Sequence, residues 1–392
     1  MSFSLKRNLS ALYLIKVAKW MNLVMPIIVL FYKSNGMTMQ DIFTLQAIYS
    51  VTLMFLEIPT GYFADHAGRR TSMLVGSVFG FAGYLIYSTS TTFWNFAFAE
   101  TTLGIGMSLI SGADSAMLYD SLASAGSSGK YTRLEGRITS IGNFAEAFAG
   151  IIGGLLAAIS LRTPYFFQAG IAFLAIPAAL ILREPTVHGN IRKPGFRDIS
   201  SIVVNVLYHD RKLFWNTIFS AVTGVSTLTM AWFAQPFLIK AGLRVNLFGL
   251  VWALLNLTVG ITAMFAWRIE SKLGPRRTVI LFTVFLLLGY FELAMAGTIT
   301  GFIFLLFFYM ARGLATPTLR NYINVIAKSE TRATVLSVRN FIIRALFALL
   351  APLYGLITDR YGLSTALLLA GGIFTFLSGI SLFFFLRYKT YQ

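Results

Sequence analysis

The chain has 392 residues, of which 56% are hydrophobic and only 12% charged, with 36 phenylalanines and a formal net charge of +17. A soluble globular protein of this length needs far more polar surface, and the absence of cysteine excludes disulfides and thiolate metal sites. The excess of base is assigned to loops facing the cytoplasm rather than to nucleic acid, because no basic soluble domain exists to carry such a partner.

Apolar runs long enough to cross a bilayer recur from end to end. Twelve spans are expected, at residues 9–31, 41–64, 71–90, 93–122, 135–160, 165–182, 212–239, 246–268, 278–297, 300–326, 332–357 and 363–386. The first run begins near Leu9, lacks an A-x-A-like cleavage site and contains Lys16 and Lys19, so it reads as a span and not as a cleavable leader. With both termini cytoplasmic, the inner segments hold 21 Lys and Arg and the outer loops five, a bias that sets the expected orientation. The longest polar segment lies between spans six and seven and contains Pro185, Gly189, Pro194 and Gly195. The expected organisation is therefore a six-helix bundle over 1–182, a cytoplasmic linker over 183–211 and a second six-helix bundle over 212–392. Residues 198–208 of the linker are a candidate amphipathic surface helix. The halves echo one another: "GLLAAISLRTPYFFQAG" from Gly154 and "GLITDRYGLSTALLLAG" from Gly355 each bridge the last two spans of their half. Parallel six-span repeats are a transporter plan. The fold class is an all-α polytopic membrane protein of twelve transmembrane helices in two six-helix bundles.

Between spans two and three stands "EIPTGYFADHAGRR", Glu57 to Arg70. Gly61 permits close helix approach, Gly68 suits a tight turn, and Asp65 can accept from helix N-terminal amides or pair with Arg69 or Arg70. The pattern Gly61-x-x-x-Asp65-x-x-Gly68-Arg69-Arg70 resembles the signature loop of the major facilitator superfamily. Its place in the chain, the 6+6 spans and a weaker echo at Ser271–Arg277 extend that resemblance over the whole sequence. One departure is His66, where the family usually has Arg; it either makes the loop sensitive to pH or is a neutral substitution. The resemblance implies a latch formed by Gly61, Asp65, Gly68, Arg69 and Arg70, closed in one state and open in another. It also implies a monomeric secondary transporter in the bacterial cytoplasmic membrane.

Charged groups inside spans are costly and mark function. Lys16 and Lys19, one turn apart on span one, either snorkel to the interface or pair with an acid or an anionic substrate, and Asn22 continues their polar side. Glu57 precedes Pro59 and either couples the loop to a cavity or pairs with a nearby base. Glu100 and Asp114 lie fourteen residues apart on span four, which on an unbroken helix puts them on one face. Asp114, beside Ser111, Gly112 and Ser115, is the first candidate for proton coupling, against the alternative of a structural Asp; Glu57, Glu100 and Glu146 are the others. Asp120 is read as an edge charge or a partner for Arg133 or Arg137. Asn143 and Glu146 on span five are cavity candidates, as are Trp232 and Gln235 beside Pro236 on span seven. Arg312 and Arg320 on span ten and Arg344 on span eleven either bind an anionic or zwitterionic substrate or pair with the first-half acids. Arg339 reads as an anchor.

The three histidines fall in or beside cytoplasmic loops and no P-loop occurs, so neither a catalytic pocket, a resident metal or cofactor, nor ATP drive is expected. The reading is proton-coupled export of an amphiphilic organic compound, a drug or siderophore-like metabolite. Proton-coupled import of an organic anion or nutrient is the alternative.

Overall fold

The computed structural model describes residues 3–127, 130–185, 210–295, 298–327 and 332–391, with the side chains of 3, 4, 132, 133, 136, 139, 140, 143, 298, 299 and 333 set aside. In the first half the helices are α1 (Phe3–Trp20), a 3₁₀ turn (Met25–Ile27), α2 (Ile28–Ser34), α3 (Met39–Ala67), α4 (Arg69–Thr89), α5 (Phe93–Ile110), α6 (Ala113–Ser124), α7 (Tyr131–Ile159), α8 (Thr163–Phe173) and α9 (Ala175–Ile181). The second half contributes α10 (Arg211–Lys240), α11 (Val245–Leu273), α12 (Pro275–Met295), α13 (Thr298–Ile326), α14 (Arg332–Tyr361) and α15 (Leu363–Arg387). Among the described residues, eleven helical stretches are long and apolar enough to cross a membrane. α7 stands where the fifth expected span lies, its apolar part running over Phe144–Ile159. The linker residues 186–209, including the candidate surface helix, lie outside the described residues.

The elements end where local chemistry stops them. Thr92 accepts from the Asn95 amide at 3.4 Å to open α5, and Asp210 accepts from the Leu213 amide at 2.9 Å to open α10. The loop echo is structural as well: Gly68 before α4 and Gly274 before α12 both take positive φ, +92° and +79°. Three expected spans are interrupted. Span one breaks between Trp20 and Met25, span four at Ser111–Gly112, where Gly112 has φ +82°, and span six at Leu174.

The chain divides into two compact units. One gathers the first half apart from residues 38–44 and takes in 244–254; the other gathers the second half and takes in 38–44. Within the first unit, Leu12, Ile15, Met73, Met117, Leu118, Leu122 and Ile138 form a buried core joining α1, α4, α6 and α7. α4 and α5 approach to backbone contact, since a Cβ at Gly76 would meet the Gly106 carbonyl oxygen at 2.8 Å. Residues 244–254 join this unit because Gly154 faces Gly249, where a Cβ on Gly154 would lie 2.8 Å from the Gly249 nitrogen. Gly154 of span five is thus used for packing. In the second unit, the Asp359 carboxylate accepts from the Met39 and Gln40 amides at 2.9 and 2.7 Å, capping the start of α3.

Candidate functional site

The break in span four shapes a site in the first unit. Gly112 takes a left-handed backbone, α6 restarts at Ala113, and Asp114 is delivered into its first turn. Lys16 and Lys19, three residues apart on one face of α1, reach Asp114 Oδ2 at 3.9 and 3.5 Å. All three side chains are mostly buried, at 12 to 16% exposure. Of the two fates open to the lysines, the structure shows pairing with an acid. The other oxygen, Asp114 Oδ1, accepts from the Ser115 amide at 2.8 Å, and the Ser115 hydroxyl donates to Glu135 Oε1 at 3.0 Å. Lys16, Asp114, Ser115 and Glu135 line a pocket whose apolar wall is Leu12, Ile15 and Ile138. The Lys16 ammonium also lies 5.5 Å from the Trp20 ring centroid. Glu135 was not among the candidates from sequence; it stands near the start of a long helix, where charge reads as loop polarity.

Above this pocket span one is discontinuous. Asn22 sits in the break, where its Oδ1 accepts from the Val24 and Met25 amides at 3.2 and 3.3 Å and its amide donates to Tyr84 Oη at 3.4 Å. The Leu23 amide donates to Gln168 Oε1 at 2.8 Å. A Cβ at Gly153 of α7 would overlap the Leu23 carbonyl oxygen, so only glycine lets the two backbones meet. Asn22 therefore satisfies a broken backbone rather than extending a polar helix face. Non-helical backbone at membrane depth is tolerated where protein satisfies it.

Glu100 departs from expectation. The break at Gly112 removes the shared face with Asp114, and Glu100 points instead into a buried cluster. Its Oε1 accepts from Tyr32 Oη at 2.9 Å, Gln46 Nε2 at 2.5 Å and Tyr87 Oη at 2.6 Å, and the two phenol oxygens lie against each other. Glu57 on α3 and Glu146 on α7 are half-buried and do not line the Asp114 pocket. The side chain of Asn143 lies outside the described residues.

At the signature loop, the Arg69 guanidinium pairs with Asp120 and donates to the Ala116 carbonyl at 2.6 Å. Asp120, read as an edge charge or a partner for Arg133 or Arg137, thus pairs with Arg69. The Glu184 carboxylate, missed from the sequence, accepts from the Arg69 and Arg70 amides, both at 2.8 Å, and caps α4. Gly68 is required twice over, by its φ of +92° and by Glu184 Oε2, which a Cβ would meet at 3.2 Å. The Arg70 guanidinium donates to the Leu180 carbonyl at 3.2 Å. Asp65 is exposed. Gly61 makes no close approach: a Cβ there meets nothing within 4 Å, which corrects the packing role expected of it. His66 is exposed and bonds the Tyr62 carbonyl one turn back at 3.0 Å.

In the second unit, Trp232 and Gln235 are buried at 8 and 2% exposure, where a cavity lining was expected. Arg312 is half-buried with its guanidinium 5.7 Å from the Tyr309 ring centroid, Arg344 is half-buried and Arg320 exposed. None of these three forms an ion pair among the described residues. Arg339, expected as an anchor, turns onto α10 instead, donating from Nε to Ser220 Oγ at 2.5 Å. No cluster of three or more acids or histidines that could hold a metal ion occurs among the described residues.

A family model described as Major Facilitator Superfamily matches residues 13–350. Tetracycline resistance protein, class H, from Pasteurella multocida is 22% identical over 305 residues, covering 76% of this chain and 75% of that protein. Among solved structures, a mutant of nucleoside transporter NupG superposes with a TM-score of 0.82 at 14% identity, covering 97% of this chain and 100% of the other. A D-xylose–proton symporter gives 0.72 at 14% identity, covering 97% and 96%.

Proposed function

The chain belongs to the Major Facilitator Superfamily, and from that premise we propose that it is a proton-coupled transporter working by alternating access, with Asp114 as its coupling acid. Membership makes it a multi-pass secondary transporter and not an enzyme. The observation that carries the finer reading is the contact of two lysines with one carboxylate oxygen in a lined pocket beside two broken spans. Each pair at these distances is worth on the order of 4 kcal/mol of Coulomb energy at an effective dielectric of about 20, against a desolvation cost of similar size. A contact so balanced is switchable. A proton on Asp114 removes its charge, releases both ammonium groups from α6 and lets α1 move against the rest of its unit.

The latch at Arg69, Asp120 and Glu184 is assigned to the cytoplasmic face, with both termini on that side of a bacterial inner membrane, on the strength of the loop charge bias. Export of an amphiphilic organic compound is favoured by the likeness to a tetracycline resistance protein. Import of an organic anion is favoured by the lysines, which a proton on Asp114 frees for an anionic group.

Reconstitution into liposomes with an imposed pH gradient tests the proposal, using tetracycline and a panel of organic anions as probes. Asp114→Asn is expected to abolish uphill, gradient-driven flux while downhill exchange persists. Gradient-driven flux unchanged in that variant would remove Asp114 from the coupling role.

A further inference from the structure

We propose that Arg339, with Ser220 and Asn340, forms an anion-binding site in the second unit that takes the carboxylate or phosphate group of the cargo. This rests on the reading above that the cargo carries an anionic group.

The site is built from two helices. Ser220 and Gly224 lie one turn apart on α10, and Arg339 of α14 lies across both. Its Nε donates to Ser220 Oγ at 2.5 Å and its Nη1 to Asn340 Oδ1 at 3.2 Å. Gly224 lets α14 lie close: a Cβ there would overlap the Ile343 side chain, while Arg339 Nη2 lies at an ordinary contact distance of 3.5 Å. A guanidinium has five N–H donors, and only these two bonds are made among the described residues. The forked Nη2 edge has no acceptor there.

Charge sets this arginine apart from the lysines. Lys16 and Lys19 are matched by Asp114 in their own unit, whereas among the described residues Arg339 meets a neutral hydroxyl and a neutral amide. Its guanidinium is largely buried, and no carboxylate pairs with it among the described residues. A cation buried within a membrane span with no carboxylate beside it is costly. That cost is offset when an anion seats against the guanidinium. The planar fork of Arg339 suits a carboxylate or phosphate in bidentate geometry. Ser220 and Asn340 hold the guanidinium in plane, which is the work of positioning residues.

The test is thermal unfolding of the full chain in an uncharged detergent at constant ionic strength, titrated with inorganic phosphate and with benzoate against chloride. The wild type is expected to show a saturable rise in midpoint, Arg339→Gln to lose it, and Arg339→Lys to weaken the apparent affinity about ten-fold or more, because one charge-assisted bond and the fork geometry go. Ser220→Ala should weaken it less. Arg360→Gln, which removes equal charge at an exposed position, should bind as the wild type does. Absence of a saturable rise in the wild type, or equal affinity in Arg339→Lys, overturns the assignment; the lysine variant decides should the glutamine variant fail to fold. A rise seen only with phosphatidylglycerol vesicles, and not with phosphate or benzoate, overturns the cargo role and makes the site a lipid contact. Asp114→Asn should retain the anion response, so failure at Arg339 leaves the coupling assignment standing and failure at Asp114 leaves this site standing.

Discussion

At Glu100 a single carboxylate oxygen accepts from two phenols and an amide, drawing α2, α3, α4 and α5 together at one buried point. Replacing the acid with leucine strands those donors, at a cost of about 3 kcal/mol, since each unsatisfied buried donor costs roughly 1–3 kcal/mol and the phenols keep each other. Glutamine keeps an acceptor oxygen and should cost less than about half as much. Denaturation in detergent checks the order, and flux in liposomes checks the role. If Glu100→Gln abolished pH-driven flux, Glu100 and not Asp114 would be the coupling acid. The sequence marked Glu100 as a charge inside span four, but its partners Tyr32, Gln46 and Tyr87 lie in three other elements and leave no periodic trace. The shared face assumed for Glu100 and Asp114 failed because helical arithmetic holds only along an unbroken helix. One positive φ at Gly112 voids it.

Element ends were legible because hydropathy changes abruptly at the membrane edge, and each expected span has a helix within a few residues of its bounds. The interruptions were not legible. Pro26 and Gly112 look like the prolines and glycines that intact membrane helices also carry, and Pro59, Pro236, Pro317 and Pro352 do sit inside unbroken helices here. What distinguishes the break in span one is its support: Gln168 and Asn22 hold the free amides, and Gly153 provides the room. Gly153→Ala forces a methyl into the Leu23 carbonyl and should cost at least about 1–3 kcal/mol, the range for overpacking. Gly61→Ala places its methyl in open space and should be neutral or stabilising by about 0.5–1 kcal/mol, since alanine is the better helix former. Midpoints of thermal unfolding and the yield of monodisperse protein read both. Equal losses in the two variants would mean that span one can re-form its break elsewhere.

For the molecule as a transporter, the consequential contact is the one that spans the signature loop. Arg69 at the start of α4 ties to Asp120 near the end of α6, and Glu184, just beyond α9, caps the same helix start through two amides. The sequence marked the loop by its glycines and bases, yet not the two acids that hold it, because one stands 51 and the other 115 residues away. If this cluster closes one face of the cycle, weakening it shifts the population of states and not only the stability. Arg69→Gln and Asp120→Asn should each move that equilibrium in the same direction. The double variant should move it no further than either alone, because both remove one interaction, with a coupling energy of about 1–3 kcal/mol. The exchange Arg69→Asp with Asp120→Arg should restore part of the wild-type balance by remaking the pair reversed. The chain contains no cysteine, so a single introduced thiol facing the transport path reports its accessibility to a membrane-impermeant maleimide without background. Labelling rates from each side of the membrane then give the shift directly. Additive effects of the two single variants would show that Arg69 and Asp120 act separately, and the pair would then be an anchor and not a latch.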